Sequence, residues 1–408
     1  ITMRAAFRNT VTIMLLTARA AGTEAAEWKI DPTIEFRAGY NDNIRLTIDD
    51  EVSSAEARLS PSAVFSVATP TSGASGNLRF DFRRFEDDSN LDDNNVRVLT
   101  SSYHRMERSQ LGLDLDFIKD TTLDSQLENT GLVFDRTTRY RANVAPSWTY
   151  KLDERTDGRF AYTYSDVQYN NADDTGFVDY HINSFQASLE RVLNERAMAS
   201  ISLLHSQTSN DNQVDSNNSN LQGGGSYRFS ESLSATLFAG IRRTEADFSQ
   251  NSLIPIFSGD ELIGFIPLTE DVSRSDWGYT FSGSLRKEFL RGQTNLSASR
   301  DISNDINGIP IEVTRARWNN LYRFSETLSG NLNLEWYESE SNNNARSSLN
   351  RNYYQIEPRF NWDFQQFWRI SGSYRYRKQT YDNTGDDATQ NATYLTLTYR
   401  WPRIAISR

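Results

Sequence analysis

The sequence contains no cysteine and only three histidines among its 408 residues. Without cysteine the chain has no disulfides, no thiolate metal sites and no cysteine-linked haem. It also has no run of about 18 apolar residues, which excludes a helical membrane protein. The mean hydropathy is −0.64. The net charge of −11 argues against nucleic acid as a partner, since binding its phosphates relies on basic side chains.

The first residues have the pattern of a secretory signal. Arg4 and Arg8 supply positive charge, residues 11–16 are largely apolar, and small residues continue to Ala26. This order is typical of a signal peptide. We therefore predict a signal peptide over residues 1–26 and a single barrel domain over residues 27–408. An ordinary N-terminal helix is the alternative.

Apolar and polar side chains alternate between Tyr353 and Trp401. A period of two residues indicates strands with two different faces. One face is aromatic and aliphatic, while the other repeatedly carries full charges. A membrane barrel turns its apolar face to lipid and its polar face to an aqueous lumen. The pattern thus predicts an all-β fold, a transmembrane antiparallel β-barrel. The residues expected to face lipid are Phe360, Trp362, Tyr374, Leu397 and Tyr399, and those expected to face the lumen are Arg359, Arg375 and Arg400.

Repeated turns support this topology. Tyr227–Ser234 recurs almost unchanged as Tyr322–Ser329, in each case as an aromatic strand end followed by a Ser-Glu turn. Such short turns alternate with longer loops rich in Asp, Asn and Ser. Outer-membrane barrels combine short periplasmic turns with long outer loops. We predict about 18 strands on this basis, with both termini in the periplasm and the last strand paired with the first.

Three short motifs carry a resemblance to a known family. They are Tyr40–Ile44 after the first strand, the Phe-Ser-Glu turns, and the ending Tyr399–Arg408. The chain resembles outer-membrane β-barrel porins, a group that includes barrels associated with exopolysaccharide export loci of Gram-negative bacteria. The resemblance implies an outer-membrane location, contact with outer-membrane lipid and lipopolysaccharide, and passage of a solute or glycan. It implies no catalytic residues.

Charged residues on the polar face are the candidate pore lining. They fall on strands that closure of the barrel makes neighbours, and arginine outnumbers acid among them. These residues are Arg37, Arg58, Arg79, Arg83, Glu357, Arg359, Arg369, Arg375, Arg377 and Arg400. A basic lumen wall would favour a small anionic solute. The alternative is an internal network in which the arginines pair with Glu35, Asp81 and Glu357.

The histidines and the acidic loops give little support for other chemistry. His181 and His205 share the parity of outward residues, whereas Ser206 has the opposite parity and points away from His205. The Asp-rich loops, such as Asp87–Asp93, lack the spacing of an EF-hand calcium site. We therefore expect no enzyme, no metal site and no cofactor.

The leading hypothesis is an outer-membrane channel for passive passage of small solutes or for export of a polysaccharide. A structural or surface-binding barrel without an open pore is the alternative, and an outer-membrane hydrolase is the third reading. The longest connection, Asp247–Val272, contains two apolar halves around Ser258–Glu261. We expect these halves to pair as a hairpin that folds into the barrel mouth and narrows it. Packing of the hairpin on other loops or on a partner is the alternative.

Overall fold

The computed structural model shows one antiparallel sheet of 19 strands. It describes residues 26–123, 136–170, 177–211, 215–258, 261–305, 308–340, 350–382 and 385–407. Residues 1–25 of the predicted signal peptide lie outside these ranges, so the cleavage site stays a prediction. No helix among the described residues is long and apolar enough to cross a membrane.

The strands follow one another around the sheet in chain order. They are β1 (Glu27–Asn41), β2 (Ser54–Ala68), β3 (Ser72–Phe85), β4 (Asp93–Arg105), β5 (Ser109–Thr121), β6 (Thr138–Lys151), β7 (Thr156–Tyr169), β8 (Tyr180–Asn194), β9 (Ala197–Asn210), β10 (Asp215–Ser230), β11 (Leu233–Ser258), β12 (Glu261–Phe289), β13 (Gly292–Asn304), β14 (Pro310–Arg323), β15 (Leu328–Glu340), β16 (Arg351–Gln365), β17 (Trp368–Tyr381), β18 (Asp387–Arg400) and β19 (Ile404–Ser407).

The sheet closes on itself between β18 and β1. The pairing runs from Thr33 opposite Arg400 to Asn41 opposite Ala392. The short β19 continues this seam by pairing with the first residues of β1. The wall therefore has 18 antiparallel strands, as predicted, and the start of β1 and the end of β18 lie at the end of the barrel that carries the short turns. Closure leaves no unpaired sheet edge along the wall, which is what a sheet in lipid requires.

The two faces of the wall separate apolar from polar side chains. Phe360 and Leu397 are exposed on the exterior, whereas Thr396 and Thr398 on the other face of β18 are buried. Tyr399 also points outward but is half-buried, because its ring packs on Trp368 and Trp401. The exterior is thus an apolar surface suited to lipid, and the interior is polar.

The repeated turns build an aromatic rim at the short-turn end. The rings of Tyr227 and Phe229 meet edge to face at 4.9 Å, and those of Tyr322 and Phe324 do so at 5.1 Å. A rim of amphipathic aromatic rings marks the membrane–water interface in barrels. The sequence repeat therefore encodes a structural repeat of strand end and turn.

Polar side chains close several of these turns through their own backbone. In the β6–β7 turn the Asp153 Oδ1 accepts from the Arg155 N–H at 2.7 Å, and this bond lowers the pKa of Asp153. In the β8–β9 turn the Asn194 Oδ1 accepts from the Arg196 N–H at 2.8 Å. Asp and Asn favour such turns for this reason.

One predicted loop is mostly strand. Ser209–Asn220 is rich in Asn, Asp and Ser, a composition that predicts one of the long loops, but β9 continues to Asn210 and β10 begins at Asp215. Asn218 and Asn220 face the interior, where they accept hydrogen bonds from Thr244 and Thr280 at 3.1 Å. Polar residues belong in these strands because one face of the wall is itself polar. Gly223–Gly225 also lie within β10 rather than before a strand.

The longest predicted connection is a two-stranded ribbon. β11 and β12 stay paired from Leu233 opposite Lys287 out to Ser258 opposite Glu261. The neighbouring strand β10 stops pairing with β11 at Asp247. The predicted pairing of the two apolar halves is therefore confirmed, as a continuation of the wall strands. Its role in narrowing the mouth stays a prediction.

A pair of arginine substitutions tests the assignment of faces. Leu397→Arg should destabilise the barrel by about 2 to 4 kcal/mol if the site lies near the membrane midplane. The neighbouring inward residue Thr396 is unsuitable as a control because it lies opposite Arg37. Asn333→Arg is the better control, since Asn333 lines the lumen and lies opposite Glu357. Denaturant unfolding of the barrel in lipid vesicles measures both, and equal losses would contradict the assignment.

Candidate pore

The lumen holds a cavity of about 530 Å³ whose wall is strongly basic. Nine arginines line it, against three carboxylate side chains, Glu56, Asp81 and Asp120. Six of the predicted pore residues are among them: Arg37, Arg58, Arg79, Arg83, Arg375 and Arg377. The structure therefore brings these six side chains from β1, β2, β3 and β17 to one space inside the barrel.

The other four predicted residues lie elsewhere on the interior wall. Glu357 is buried and accepts hydrogen bonds from both Arg359 and Arg375 at 2.8 Å. Arg369 forms a bidentate ion pair with Asp363, with both hydrogen bonds at 2.7 Å. Arg400 lies 3.9 Å from the same carboxylate. Arg369 and Arg400 lie at the short-turn ends of β17 and β18, whereas Glu357 and Arg359 lie near the middle of β16.

The internal ion-pair network considered as an alternative is present. Arg79 contacts Asp81 at 2.9 Å and Glu35 at 3.5 Å, and Asp81 also accepts from Ser60 at 2.5 Å. Charge-assisted pairs of this kind fix side chains in place. The network satisfies only part of the basic wall, however, because Arg58 and Arg97 form no ion pair with a described residue.

Sequence reasoning missed three of the cavity arginines. Arg97 lies opposite Arg79 on β4, the strand whose alternation is weakest. Arg139 and Arg141 follow one another on the inner face of β6, where they bind Asp120 at 2.7 Å and Asp116 at 3.2 Å. Their alternation with Tyr140 and Ala142 was visible in the sequence and could have placed them inside.

A second cavity of about 450 Å³ lies next to the first. Arg375 and Arg377 line both, so the two spaces meet at β17. Arg317 and Glu335 line the far side of the second cavity and bind each other at 3.0 Å. Together the two cavities form a polar lumen around much of the barrel.

The connection between β1 and β2 folds into the barrel and covers the first cavity. Ile44 lines the cavity, and Leu46 is buried to 1% exposure. Both belong to an apolar cluster that includes Tyr337 and Tyr353 of β15 and β16 and Leu91 and Leu123 of neighbouring connections. This packed layer, here called the plug, lies inside the barrel at the end with the long connections.

Asn43 holds the plug to the wall. Its Nδ2 donates to the carbonyls of Thr47 at 2.8 Å and Thr389 at 3.0 Å. Its Oδ1 accepts from the Thr47 N–H at 3.1 Å, and its carbonyl accepts from Gln390. Asn43 is fully buried, so each polar atom needs such a partner. The Tyr40–Ile44 motif thus carries a structural role.

The same loop contains backbone strain. Leu46 and Asp50 both have φ of +53°, a left-handed conformation that is unfavourable for residues with a side chain. Packing of Leu46 into the apolar cluster offsets this cost. The plug therefore depends on its contacts with the wall and would change shape if they were lost.

The β13–β14 turn also reaches across the same end of the barrel. Asn304 Nδ2 donates to Thr208 of β9 at 3.5 Å. Gly308 lies so close to Tyr180 that an added Cβ would sit 2.8 Å from its ring. β12 and β13 stop pairing at Phe281 and Arg300, as expected where β13 leans inward. The mouth is therefore narrowed from two sides.

A buried arginine bridges the point where β12 and β13 separate. Arg242 of β11 is 1% exposed. It passes over Gly278, where an added Cβ would lie 2.6 Å from the guanidinium. It then bonds Glu312 of β14, which also bonds Arg300. The ion pairs thus join β11 to β14 across strands whose backbone pairing has ended.

The histidines make ordinary cross-strand contacts. His205 is on the exterior beside Phe185, and its Nδ1 lies 2.9 Å from Ser219 Oγ on the paired strand. His104 has the same relation to Ser72 at 2.8 Å. In the described part of the chain, no third residue hydrogen-bonds to the other nitrogen of His205, so the pair forms no catalytic triad.

Metal ligands are not clustered in the part of the chain that the structure describes. No group of three His, Asp or Glu side chains there could hold an ion. In the Asp87–Asp93 loop, two carboxylates accept hydrogen bonds from backbone amides. Asp92 accepts from the Phe85 N–H at 2.9 Å, and Asp88 from the Asn90 N–H at 3.0 Å. Asp173 and Asp174 lie outside the described residues.

Comparison with known proteins finds similar barrels among solved structures. The outer membrane protein opdK from Pseudomonas aeruginosa is 11% identical, with 93% of this chain and 99% of that chain covered and a TM-score of 0.46. OccK2 (OpdF) from Pseudomonas aeruginosa is 10% identical, with 91% and 97% covered and a TM-score of 0.47. OccAB3 from Acinetobacter baumannii is 9% identical, with 92% and 99% covered and a TM-score of 0.45.

No protein-family model matches the chain, and no curated protein matches it in sequence. With identities near one residue in ten, the function of this barrel has to be argued from its own residues.

The contacts of Asn43 predict that this residue controls the plug. Asn43→Ala removes three side-chain hydrogen bonds from a buried loop, so the plug should loosen and single-channel conductance should rise. Ile48→Ala is the control, because Ile48 is an exposed residue of the same loop. Planar-bilayer recording measures the effect. Unchanged conductance in a folded Asn43→Ala barrel would show that the loop does not limit the current.

Proposed function

We propose that this chain is an outer-membrane channel of a Gram-negative bacterium that passes small anionic solutes. The observation that carries the proposal is the arginine-lined cavity inside the barrel. An apolar exterior and an aromatic rim support a membrane location. The polar lumen supports passage of a hydrophilic solute rather than storage of an apolar one.

In this proposal the short turns and both chain ends face the periplasm. Outer-membrane barrels place short turns there and long connections outside the cell. The plug and the β11–β12 ribbon then lie at the extracellular mouth. The apolar exterior contacts outer-membrane lipid, and the outer rim contacts lipopolysaccharide.

The charge of the wall favours anions over cations. A cleft lined by one sign of charge raises the local concentration of the opposite ion, and rings of Arg and Lys select anions in pores. Arg58 and Arg97 supply positive charge without a carboxylate partner among the residues that the structure describes. Asp120, Asp116 and Glu357 each neutralise a neighbouring arginine and therefore add little cation preference.

The plug favours small solutes over a polymer. Its apolar cluster packs Leu46 and Leu123 against Tyr337 and Tyr353 of the wall. A polysaccharide chain would need this layer to move aside, whereas a small solute needs only a gap beside it. Polysaccharide export therefore has less support than solute passage.

A closed barrel is the second candidate, and the plug is the observation that favours it. Side chains below 2% exposure include Leu46, Leu91, Leu123 and Tyr337, all in or against the plug. If this layer stays in place, the barrel has a basic pocket open at one end and no through-path. It would then act as a structural or surface-binding protein.

Single-channel recording of the purified full-length barrel separates the two candidates. A channel gives discrete conductance steps, and in a potassium chloride gradient its reversal potential should favour chloride. A barrel that inserts but gives no steps is closed. A reversal potential that favours potassium would contradict the anion preference.

A charge reversal inside the lumen should shift this selectivity. Arg97→Glu places a carboxylate in the cavity. The reversal potential in a potassium chloride gradient should therefore move towards the value expected for a potassium-selective channel. Lys287→Glu is the control, because Lys287 lies on the exterior against the Phe289 ring and makes the same charge change. Equal shifts in both variants would show that selectivity arises outside the lumen.

A further inference from the structure

Three arginines lie directly opposite one another on adjacent strands of the lumen wall. Arg37 of β1 is in register with Arg58 of β2, and Arg58 is in register with Arg83 of β3. All three line the first cavity. Like charges directly opposite across strands destabilise a sheet. This set, here called the arginine row, therefore needs negative charge from somewhere.

The protein supplies that charge unevenly. Arg83 is paired with buried Asp93, with its Nε 2.7 Å from the carboxylate. Arg37 has a looser contact with Glu35 at 3.7 Å and lies over the Tyr394 ring. Arg58, at the centre, forms no ion pair with a described residue. The row is thus compensated at one end and open in the middle.

Arg37 and Arg58 also carry donors that the described part of the protein does not use. The Nε atoms of Arg37 and Arg58 are buried and have no hydrogen-bond partner. A buried donor without a partner costs free energy that a bound acceptor would recover. Two guanidinium groups on adjacent strands can bind one oxyanion from both sides, since each presents a planar fork of donors.

The position of Glu56 limits where such an anion can lie. Glu56 is two residues from Arg58 on the same face of β2, is 6% exposed, and lines the cavity on the side of the plug. It would repel an anion placed there. An anion bound to Arg58 would therefore lie on the side away from the plug, towards Arg79 and Arg97, which are opposite one another on β3 and β4. Asp81 on that side is already bound by Arg79 and Ser60.

We propose that the arginine row is a saturable binding site for a small oxyanion that carries two or more negative charges, centred on Arg58. The inference rests on the proposed anion channel and adds to it a discrete site with a preference for charge number. A monovalent anion compensates one guanidinium, whereas a multivalent oxyanion compensates both Arg37 and Arg58. Polycarboxylates and phosphates share this chemistry.

Calorimetric titration of the detergent-solubilised full barrel tests the site directly. The probes are citrate, pyrophosphate and acetate. Citrate, pyrophosphate or both should bind saturably with one site per chain, and acetate should bind far more weakly. Binding of citrate alone would assign the site to polycarboxylates, and binding of pyrophosphate alone would assign it to phosphates. Absence of saturable binding by both would overturn the proposal.

Arg58→Gln is the diagnostic variant. Loss of charged hydrogen bonds to the anion should weaken binding by about tenfold or more. Arg317→Gln is the matched control, since Arg317 lines the second cavity and its partner Glu335 keeps Arg315. Affinity that is unchanged in Arg58→Gln, or reduced equally in both variants, would contradict the assignment.

Thermal unfolding gives a readout that a merely structural arginine would not give. Without anion, Arg58→Gln should unfold at a higher temperature than the native barrel, because the repulsion in the row is relieved. Citrate or pyrophosphate, whichever binds in the titration, should raise the unfolding temperature of the native barrel and leave that of Arg58→Gln nearly unchanged. A lower unfolding temperature for the anion-free variant would show that Arg58 serves the fold.

The experiments can contradict the anion-binding site and the proposed channel function independently of each other. Anion binding that depends on Arg58 in a barrel that gives no conductance steps leaves the site standing and removes the channel. Chloride-selective steps without Arg58-dependent binding of citrate or pyrophosphate leave the channel standing and remove the site.

Discussion

The hydrogen bonds that close β18 onto β1 are the constraint on which this structure depends. Hydrocarbon offers no partner for a backbone amide, so a sheet within it must have no free edge. Pairing from Thr33–Arg400 to Asn41–Ala392 meets that demand. The even strand count and the common position of both chain ends follow from it. The alternation of exterior and interior follows as well, because a closed wall has only two sides.

Closure also decides where polar groups go. Once the exterior faces lipid, charges in the middle of a wall strand must point into the lumen. Glu357 with Arg359 and Arg375, and Arg79 with Asp81, show how the interior absorbs charge by pairing it. The same separation applies to the connections between strands. The β1–β2 connection folds inward because its apolar residues pack against Tyr337 and Tyr353. The interior is therefore lined by charged wall residues that cannot face lipid, and it is partly filled by the β1–β2 connection, whose apolar residues are buried away from water.

The sequence predicted those parts of the fold that depend only on residues close together in the chain. The period of two residues located β16, β17 and β18 to within a few residues, and the Tyr227 and Tyr322 repeats marked two turns. Each signal lies within about ten residues of chain. The strand over Asn218 and Asn220 was missed, since its asparagines resemble a loop until a lumen is known to receive them.

The candidate site was less predictable because it depends on contacts far apart in sequence. Parity alone placed six arginines in the cavity, but Arg97 was hidden by the irregular pattern of β4. No local signal shows that Asn43 binds Thr389, 346 residues away. The register that places Arg58 between Arg37 and Arg83 also depends on pairing of whole strands, and a slip of one residue would remove it.

The arginine row shows what a closed wall allows. An isolated two-stranded hairpin is only marginally stable in water. With Arg37 opposite Arg58, the repulsion between the two charges would be enough to unfold it. Here each of those strands pairs with a neighbour on both sides. These ladders hold the register of the strands against the repulsion between the side chains. A closed barrel can thus keep Arg58 facing its cavity without an ion pair to a described residue, and under the proposal a bound anion would relieve the repulsion.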